Sequence, residues 1–553
     1  MSESSRLDEV FGARSSETPL GMVVGGSLSE GLLVRLDGRL SIEKLAVGRY
    51  VVIEGKSGRR FFGLVTDIAL AATNADLAHQ PPDLGDAFTT DVYSRSVAYG
   101  TLHVTPMLML DPADETPRPI KTIPSHFSRV AEATAEDVAR VFGAEDEKHL
   151  FLGTPLDMEN VQVNLDLARF VERSSGVFGK SGTGKSFITR ILLAGIVRSR
   201  QASALIFDMH NDYGWAVKDE AGREFKGLRQ LFTGGEVVTI TLDSKTSRAR
   251  GSKVDGEFAI AFDRIEPEDV EMLTGLMGLS DVQRNALYYL RRKLGAGWVA
   301  KLLEEEDSGG ELQALVDSGR IMEGTLDAIQ RRFHAFFPRM GFVTHKAEHD
   351  IVERIFQYLN QKASVVLEFG NYGNELAAYI FVANYLTRRI RQRYIDLKNL
   401  AAGKQAEEPH PLVIVIEEAH KFLDPEFSGH TVFGAIAREL RKYNVTLLVV
   451  DQRPSAIDDE VMSQIGTRVT CLLDNEADIR AVFSGVSGAG ALREVLARLD
   501  TRQQALVLGH AVPMPVVVRT RDYDQTFYLA MGVADGEQKK KRAQRGSEAL
   551  FGS

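Results

Sequence analysis

The chain has 553 residues, more than one ordinary hydrophobic core holds, so two or three domains are expected. Hydrophobic residues make up 44% of it, and no run approaches the ~20 apolar residues of a membrane-spanning helix, so we expect no membrane segment. The net charge of −10 argues against nucleic acid wrapped around the outer surface, but it leaves room for nucleic acid in a narrow channel. The single cysteine, Cys471, excludes an intrachain disulfide and fits a cytoplasmic location.

The first 150 residues predict a small β-domain and a connection. Residues 1–17 are polar and are interpreted as a flexible leader. Residues 18–110 contain short apolar runs separated by glycine, such as GLLVRL and RYVVIEG, which predict a β-barrel. Residues 111–150 begin with DPADETPRPIKTIP, a composition typical of a linker, and include one short helix with Thr134 as the expected N-cap.

Residues 151–520 predict an α/β core. Apolar runs that alternate with helical segments indicate a mostly parallel sheet covered on both faces. The predicted strands are Ser174–Phe178, Ser203–Asp208, Val237–Leu242, Ser364–Phe369, Leu412–Glu418, Val445–Asp451, Arg468–Leu473 and Gln504–Gly509. Residues of about 263–350 show only helical spacing and are interpreted as an insertion. Residues 521–553 are predicted to be a C-terminal segment with a flexible basic tail.

A phosphate-binding motif follows the first strand of this core. It comprises Gly179, Lys180, Ser181, Gly182, Thr183, Gly184, Lys185 and Ser186, and it fits G-x-x-x-x-G-K-[ST]. The glycines let backbone N–H groups cradle phosphate oxygens. Lys185 is expected to reach the β- and γ-phosphates, and Ser186 to ligate Mg²⁺. Because a strand precedes the motif and a helix follows it, we predict ATP and Mg²⁺ as cofactors.

Two acidic residues end a later strand in the run LVIVIEEAH. A carboxylate at this position can hold the magnesium shell, and a second can orient the attacking water. We assign Glu417 to the magnesium side and Glu418 to catalysis. The alternative is an exposed acidic helix start, which the phosphate-binding motif in the same chain makes a minor possibility.

Two more strand ends carry polar residues that are expected at the same edge of the sheet. Asp208 ends the second strand, and Gln452 follows the strand that ends at Asp451. Ligands of open α/β sheets bind at the carboxyl ends of strands, so both side chains are candidates for sensing the γ-phosphate or positioning water. The alternative for both residues is a loop cap. His210 is given no role.

Three arginines are candidates for completing the ATP site of a neighbouring subunit. Arg438 and Arg441 share a face of the basic segment ARELRKYN, and Arg173 precedes the strand of the phosphate-binding motif. The ordinary interpretation is that such arginines are solvated.

A basic stretch, DSKTSRARGSK, follows the third predicted strand. Its residues Lys245, Arg248 and Arg250 are candidates for contacting DNA if the stretch is a loop that lines a pore. An ordinary solvated loop is an equally good interpretation.

The whole set resembles the HerA-type hexameric DNA translocases, in the HerA/FtsK group of P-loop ATPases. The resemblance rests on RSSGVFGKSGTGKS, LIFDMHNDYG, VIVIEEAHKFL and ARELRKYNVTLLVVDQRPS, and it runs over residues of about 18–520. It implies a RecA-like core, a HAS barrel at the N-terminus, a helical insertion and a C-terminal segment that braces a neighbouring subunit. The implied assembly is a homo-hexamer acting on double-stranded DNA.

The resemblance also implies roles for single residues. Glu418 is implied as catalytic, Asp208 as assisting near the γ-phosphate and Gln452 as the sensor. Arg173 and Arg441 match the family arginines that complete the site across subunits. One departure is Glu417, because the family usually has aspartate at this position.

The family motor works with a separate nuclease, NurA, in DNA end processing, and related bacterial versions are paired with sirtuin-like or other nuclease effectors in defence against phage. We expect such a partner to dock on the N-terminal barrel. Two other interpretations remain open: a protein-handling motor on the same core, and a ring that mainly scaffolds an effector. DNA-stimulated ATPase activity separates the first from a DNA motor.

Overall fold

The structure is a computed structural model that describes residues 19–74, 92–93, 97–111, 114–156, 158–218, 222–304, 310–347, 349–425, 432–486, 489–500 and 503–532. The described residues fall into two compact units. The first is drawn from residues 1–166, 178–184 and 467–521, and the second from 167–177, 185–466 and 522–553.

The strands are β1 Pro19–Ser27, β2 Gly31–Leu36, β3 Tyr50–Glu54, β4 Arg60–Ala72, β5 Ala98–Asp111, β6 Asp114–Pro119, β7 Arg129–Glu132, β8 His149–Pro155, β9 Val163–Asp166, β10 Ser175–Phe178, β11 Ser203–Asp208, β12 Val217–Lys218, β13 Glu224–Phe225, β14 Val237–Thr241, β15 Gly256–Glu257, β16 Ile260–Ala261, β17 Val343–Thr344, β18 Ser364–Glu368, β19 Leu412–Glu417, β20 Val445–Asp451, β21 Thr467–Thr470, β22 Gln504–Gly509 and β23 Val516–Thr520.

The α-helices are α1 Ala135–Phe142, α2 Leu167–Glu172, α3 Lys185–Ser199, α4 Leu228–Leu231, α5 Ser244–Ala249, α6 Pro267–Glu271, α7 Thr274–Met277, α8 Asp281–Leu294, α9 Trp298–Leu302, α10 Glu311–Asp317, α11 Glu323–Phe336, α12 Ile351–Asn360, α13 Leu376–Ala402, α14 His420–Leu423, α15 Val432–Glu439, α16 Asp459–Gln464, α17 Glu476–Val482, α18 Ala489–Ala497 and α19 Gln525–Ala530.

A closed antiparallel barrel forms the N-terminal part of the first unit. Its strand order is β2-β1-β7-β3-β4-β5, and β5 pairs back to β2 to close the sheet. Alternate side chains of β2 point inward: Leu32, Val34 and Leu36 are buried, whereas Arg35 between them is partly exposed. The predicted β-barrel is therefore present, with a core made by one face of each strand.

The barrel sheet extends past residue 110, where the sequence predicted its end. β6 and β7 lie in the segment that we interpreted as a linker, and β7 pairs with both β1 and β3. Among the strands that the structure describes, β6 pairs only with β5, so it is an edge strand. An edge strand tolerates proline because not all of its N–H groups need a partner, which explains Pro117 and Pro119 there.

Helix α1 follows the barrel and begins at the predicted cap. The Thr134 side chain accepts a hydrogen bond from the backbone N–H of Asp137, and the Asp137 carboxylate accepts one from the Thr134 N–H at 3.0 Å. Arg60 of β4 forms an ion pair with Asp137 at 2.8 Å. The predicted N-cap is confirmed.

The other strands of the first unit form antiparallel pairs. β21, β22, β23, β8 and β9 pair in that order, for example with Val469 opposite Val507 and Leu506 opposite Val517. Cys471 follows β21 and is fully buried, as expected of a small apolar side chain.

A parallel sheet forms the centre of the second unit. Five strands pair in the order β14-β18-β11-β19-β20, and every residue in them is buried. Strands buried on both faces read as continuous apolar runs, which is why the sequence predicted each of the five to within one residue. Since the strands are parallel, their carboxyl ends, including Asp208, Glu368, Glu417 and Asp451, lie along one edge.

The predicted insertion is helical from α6 to α11. Trp298 of α9 is fully buried, donates a hydrogen bond to the Ile265 carbonyl at 2.8 Å and packs edge-on against Phe333 of α11. A short strand pair, β16 with β17, closes the insertion. None of the helices in the described part of the chain combines the length and apolar composition needed to cross a bilayer.

Candidate nucleotide site

The phosphate-binding loop has a backbone shape that depends on glycine. Gly179 has φ of +151°, and a Cβ there would lie 2.7 Å from the Cys471 Cβ and 2.9 Å from the Thr183 Oγ1, so no other residue fits. Gly182 and Gly184 also take positive φ, +78° and +101°. A loop that turns successive N–H groups inward in this way forms a concave anion site.

Hydrogen bonds fix the start of this loop. The Lys180 N–H donates to the Leu472 carbonyl at 3.1 Å, and the Thr183 hydroxyl donates to the Lys180 carbonyl at 2.8 Å. The Lys180 ammonium forms an ion pair with the exposed Asp474 carboxylate at 3.0 Å, which offsets its charge. Helix α3 begins at Lys185, immediately after the loop, and its N-terminus favours bound phosphate.

Glu417, the last residue of β19, has a buried carboxylate with one oxygen satisfied and one not. Its Oε1 accepts a hydrogen bond from the Tyr213 hydroxyl at 2.7 Å, whereas Oε2 has no hydrogen-bond partner among the described residues. The Tyr379 hydroxyl contacts the Glu417 backbone, donating to its carbonyl and accepting from its N–H. Burial, with the charge of Asp208 nearby, raises the pKa of Glu417 to about 8. An orphaned buried carboxylate oxygen is one that a cation can satisfy.

Asp208, the last residue of β11, has both oxygens occupied. Backbone N–H groups of Asp212, Tyr213 and Gly214 donate to it at 2.7, 2.9 and 3.1 Å. Burial raises the pKa of Asp208 to about 7, with the charges of Asp212 and Glu368 adding to the effect. The geometry corresponds to the alternative of a loop cap, and assistance near the γ-phosphate stays a prediction.

Glu418 lies at the junction between β19 and α14, in a backbone conformation that is rare for a residue with a side chain. Its φ is +48°, which costs about 1–2 kcal/mol for an L-residue, and such residues cluster at functional sites. The Gln452 amide donates to its Oε1 at 2.9 Å. The two residues predicted as catalytic carboxylate and sensor are therefore brought into direct contact.

His420 and Asp451 are site residues that the sequence interpretation missed. The His420 ring Nδ1 lies 3.0 Å from Asp451 Oδ2 and 3.5 Å from Glu418 Oε2. The hydrogen bond to Asp451 raises the pKa of His420, and the charge of Glu418 acts in the same direction. The signal was present, because Asp451 ends a predicted strand and His420 stands three residues after Glu417.

The predicted arginines differ in their surroundings. Arg173 is exposed, and its side-chain stem packs on Gly466, where a Cβ would come within 2.8 Å of it. Arg438 lies 3.6 Å from Glu460. Arg441 lies in the turn Leu440–Tyr443, and its side chain is outside the described part of the chain. Roles across subunits stay predictions.

The predicted DNA-contacting stretch is a loop only in its second half, which corrects part of the sequence interpretation. Its first half is helix α5, capped by the Asp243 side chain, which accepts from the Thr246 N–H. Lys245, Arg248 and Arg250 are all exposed, and Arg248 lies 3.5 Å from Glu257. The helix is held to the sheet edge by Ser247, whose hydroxyl donates to the buried Glu368 at 2.8 Å.

Two family models match the chain. Residues 150–390 match the model described as "Helicase HerA, central domain", and residues 20–113 match the "HAS barrel domain". The DNA double-strand break repair helicase HerA of Pyrococcus furiosus is 24% identical over 71% of this chain and 74% of its own length. The protein of the same name from Saccharolobus solfataricus is 23% identical over 94% of this chain and 96% of its own length. Among solved structures, VirB4 of Thermoanaerobacter pseudethanolicus is similar with a TM-score of 0.45 and 14% identity, over 70% of this chain and 99% of that one.

The phosphate-binding loop, the parallel sheet with acidic strand ends and the closed barrel define the class, a P-loop α/β protein with an N-terminal HAS barrel. Within that class, residues 150–390 match the HerA central domain, and the chain is similar to the curated HerA helicases. The resemblance stated from the sequence motifs is confirmed.

Proposed function

We propose that the chain binds ATP with Mg²⁺ and hydrolyses it. The observation that carries the proposal is the phosphate-binding loop, whose glycines take the positive φ values that an anion cradle needs directly before α3. Lys185 would neutralise the β- and γ-phosphates, and Ser186, in the first turn of α3, would offer a hydroxyl to Mg²⁺.

The residues present fit a magnesium ion. The Glu417 Oε2 is buried without a hydrogen-bond partner among the described residues, and a hard cation is the natural partner for such an oxygen. Glutamate replaces the usual aspartate here, and the Tyr213 and Tyr379 hydroxyls hold its side chain and backbone in place. When bound, magnesium would neutralise developing charge on the phosphates.

In this proposal Glu418 orients the attacking water, and Gln452, which contacts it, reports the state of the γ-phosphate. Asp208 keeps the adjacent loop in place and so assists indirectly. Arg441 or Arg173 would reach the ATP of a neighbouring subunit, where a guanidinium contributes ~10³-fold or more in related P-loop enzymes. This arrangement makes hydrolysis depend on assembly.

We further propose that hydrolysis drives a homo-hexameric translocase or helicase on double-stranded DNA in the cytoplasm. Support comes from the relatives, whose names describe helicases for repair of DNA double-strand breaks. The exposed cations Lys245, Arg248 and Arg250 next to the sheet edge are the candidates for DNA contact. A separate NurA-like nuclease, or a sirtuin-like or nuclease effector in defence, would dock on the barrel.

The proposal is tested by measuring ATP turnover with and without double-stranded DNA over a salt series. We expect DNA to stimulate turnover. The affinity of the protein for DNA should fall steeply with salt, because binding releases counterions from the DNA. Changing Lys245, Arg248 and Arg250 together to Ala should weaken the stimulation and flatten the salt dependence. The matched control changes three other exposed cations, Arg331, Arg332 and Lys346.

Absence of stimulation by any DNA length, with normal basal turnover, contradicts the DNA motor and favours a protein-handling motor or a scaffold. An equal loss in both triple variants returns residues 243–253 to the interpretation of an ordinary solvated segment.

A further inference from the structure

One side-chain cluster at the edge of the parallel sheet has no part in the roles assigned above. It joins Asp451, at the end of β20, to His420, the first residue of α14. The Asp451 carboxylate is fully buried, and each of its oxygens accepts a backbone N–H: Oδ2 from His420 at 2.7 Å and Oδ1 from Arg453 at 2.6 Å. Asp451 is thereby fixed by the backbone on both sides.

The fixed carboxylate sets the orientation of the imidazole. His420 Nδ1 lies 3.0 and 3.2 Å from the two Asp451 oxygens. Because both Asp451 oxygens face Nδ1 and carboxylate oxygens accept hydrogen bonds, the contact assigns the proton to Nδ1. The side chain of His420 is largely buried, so it does not exchange this partner freely with water.

Glu418 meets a different partner at each of its oxygens. Gln452 donates to Oε1 at 2.9 Å, and the His420 Nδ1 lies 3.5 Å from Oε2, within ion-pair range. Both partners lie next to Asp451, one by sequence and one by hydrogen bond. The plane of the Glu418 carboxylate is therefore set from the end of β20, while its backbone is held at φ +48°.

We infer that His420, held by Asp451, is a positioning residue that fixes the Glu418 carboxylate for ATP hydrolysis. The inference rests on the proposed function, in which Glu418 orients the attacking water. A carboxylate that swings between orientations spends only part of its time in the productive one, so two partners on its two oxygens raise the productive fraction. His420 thus acts through Glu418 and need not touch ATP.

A divalent cation held by Glu418, His420 and Asp451 is the competing interpretation, since their ligand atoms lie within 4.8 Å of one another. The hydrogen bonds favour positioning. Both Asp451 oxygens already accept backbone N–H groups, and the ring nitrogen Nδ1, which faces Asp451 and Glu418, is assigned the proton. A cation would have to displace that proton.

The test measures ATP affinity and single-turnover hydrolysis for His420→Ala and for the conservative His420→Gln in the full-length protein. His420→Ala removes the partner that lies 3.5 Å from Glu418 Oε2, so hydrolysis should slow about 10- to 100-fold as the carboxylate loses its fixed orientation. ATP affinity should stay unchanged, and His420→Gln should recover part of the rate through its amide donor. His149→Gln is the matched control, because it removes another histidine paired with an aspartate, Asp146.

A double variant separates positioning from a general structural effect. If His420 acts through Glu418, then His420→Ala should cost nothing further once Glu418→Gln is present. A full additional loss in the double variant, an unchanged rate in His420→Ala, or Mn²⁺ binding that requires His420 overturns the inference and leaves the proposed function standing. Normal hydrolysis by Glu418→Gln alone overturns the catalytic assignment, and the inference with it.

Discussion

Asp208 and Glu417 end neighbouring strands of the same parallel sheet, yet their carboxylates have different hydrogen-bond partners. Both carboxylates are buried, and burial raises the pKa of each, to about 7 and about 8. Asp208 accepts three backbone N–H bonds, whereas Glu417 accepts one tyrosine hydroxyl and keeps Oε2 without a partner in the described part of the chain. A carboxylate at the end of a strand is therefore a candidate site residue. Its hydrogen-bond partners indicate whether it holds a loop in place or is free to bind a cation.

The largest expected effect is on stability, and it comes from removing Asp208, the carboxylate that anchors the adjacent loop. Asp208→Ala leaves the N–H groups of Asp212, Tyr213 and Gly214 without their acceptor, and each unsatisfied buried group costs about 1–3 kcal/mol. We expect the free energy of unfolding to fall by several kcal/mol, measured by urea titration. Asp208→Asn, which keeps one acceptor oxygen, should lose less. If Asp208→Ala is as stable as the wild type, Asp208 does not anchor the loop, and its role is not distinguished from that of Glu417.

Glu417→Gln should raise the Mg²⁺ concentration needed for ATP turnover, and it should affect the free energy of unfolding less. Gln keeps an oxygen for the Tyr213 hydroxyl but removes the negative charge. Groups that support a metal shell typically contribute 10–100-fold to metal affinity, so the Mg²⁺ concentration for half-maximal turnover should rise by about that factor. Asp208→Asn serves as the control and should leave it unchanged. An equal shift in both variants contradicts the separation of roles.

A smaller effect concerns pH. The folded-state pKa of Glu417 is raised above its unfolded value of about 4.5, so folding favours the protonated form. Its contribution to stability is complete below pH 4.5 and is lost as pH rises through about 8. The nucleotide-free protein should therefore melt lower at pH 8 than at pH 6, and Glu417→Gln should show a weaker decline. Asp208 acts in the same direction, so some decline remains in the variant.

The sequence predicted the parts of this structure that rest on local patterns. The five parallel strands are buried on both faces and stand out as apolar runs, and the phosphate-binding loop is one continuous motif. Glu417 and Glu418 were found because they end such a run. Gln452 was found for the same reason, and its contact with Glu418 joins two predictions that the sequence kept separate.

The missed features depend on pairing between distant residues or on short elements. The Tyr213 and Tyr379 hydroxyls reach Glu417 from 204 and 38 residues away, so no local pattern reveals them. β6 was hidden by its prolines, which only an edge position permits. Helix α5 has one turn and a half, too short for a hydrophobic period, although its Asp243 cap was a readable signal.

The central claim is that Lys185 binds nucleotide and Glu418 drives its hydrolysis, and it is tested most directly by measuring ATP affinity and single-turnover hydrolysis separately for Lys185→Ala and Glu418→Gln. We predict that Lys185→Ala loses tight ATP binding, because the phosphates lose their cation. Glu418→Gln should bind ATP about as tightly as the unaltered protein and hydrolyse it about 10²- to 10⁴-fold more slowly. Normal hydrolysis by Glu418→Gln, or tight binding by Lys185→Ala, would contradict the account.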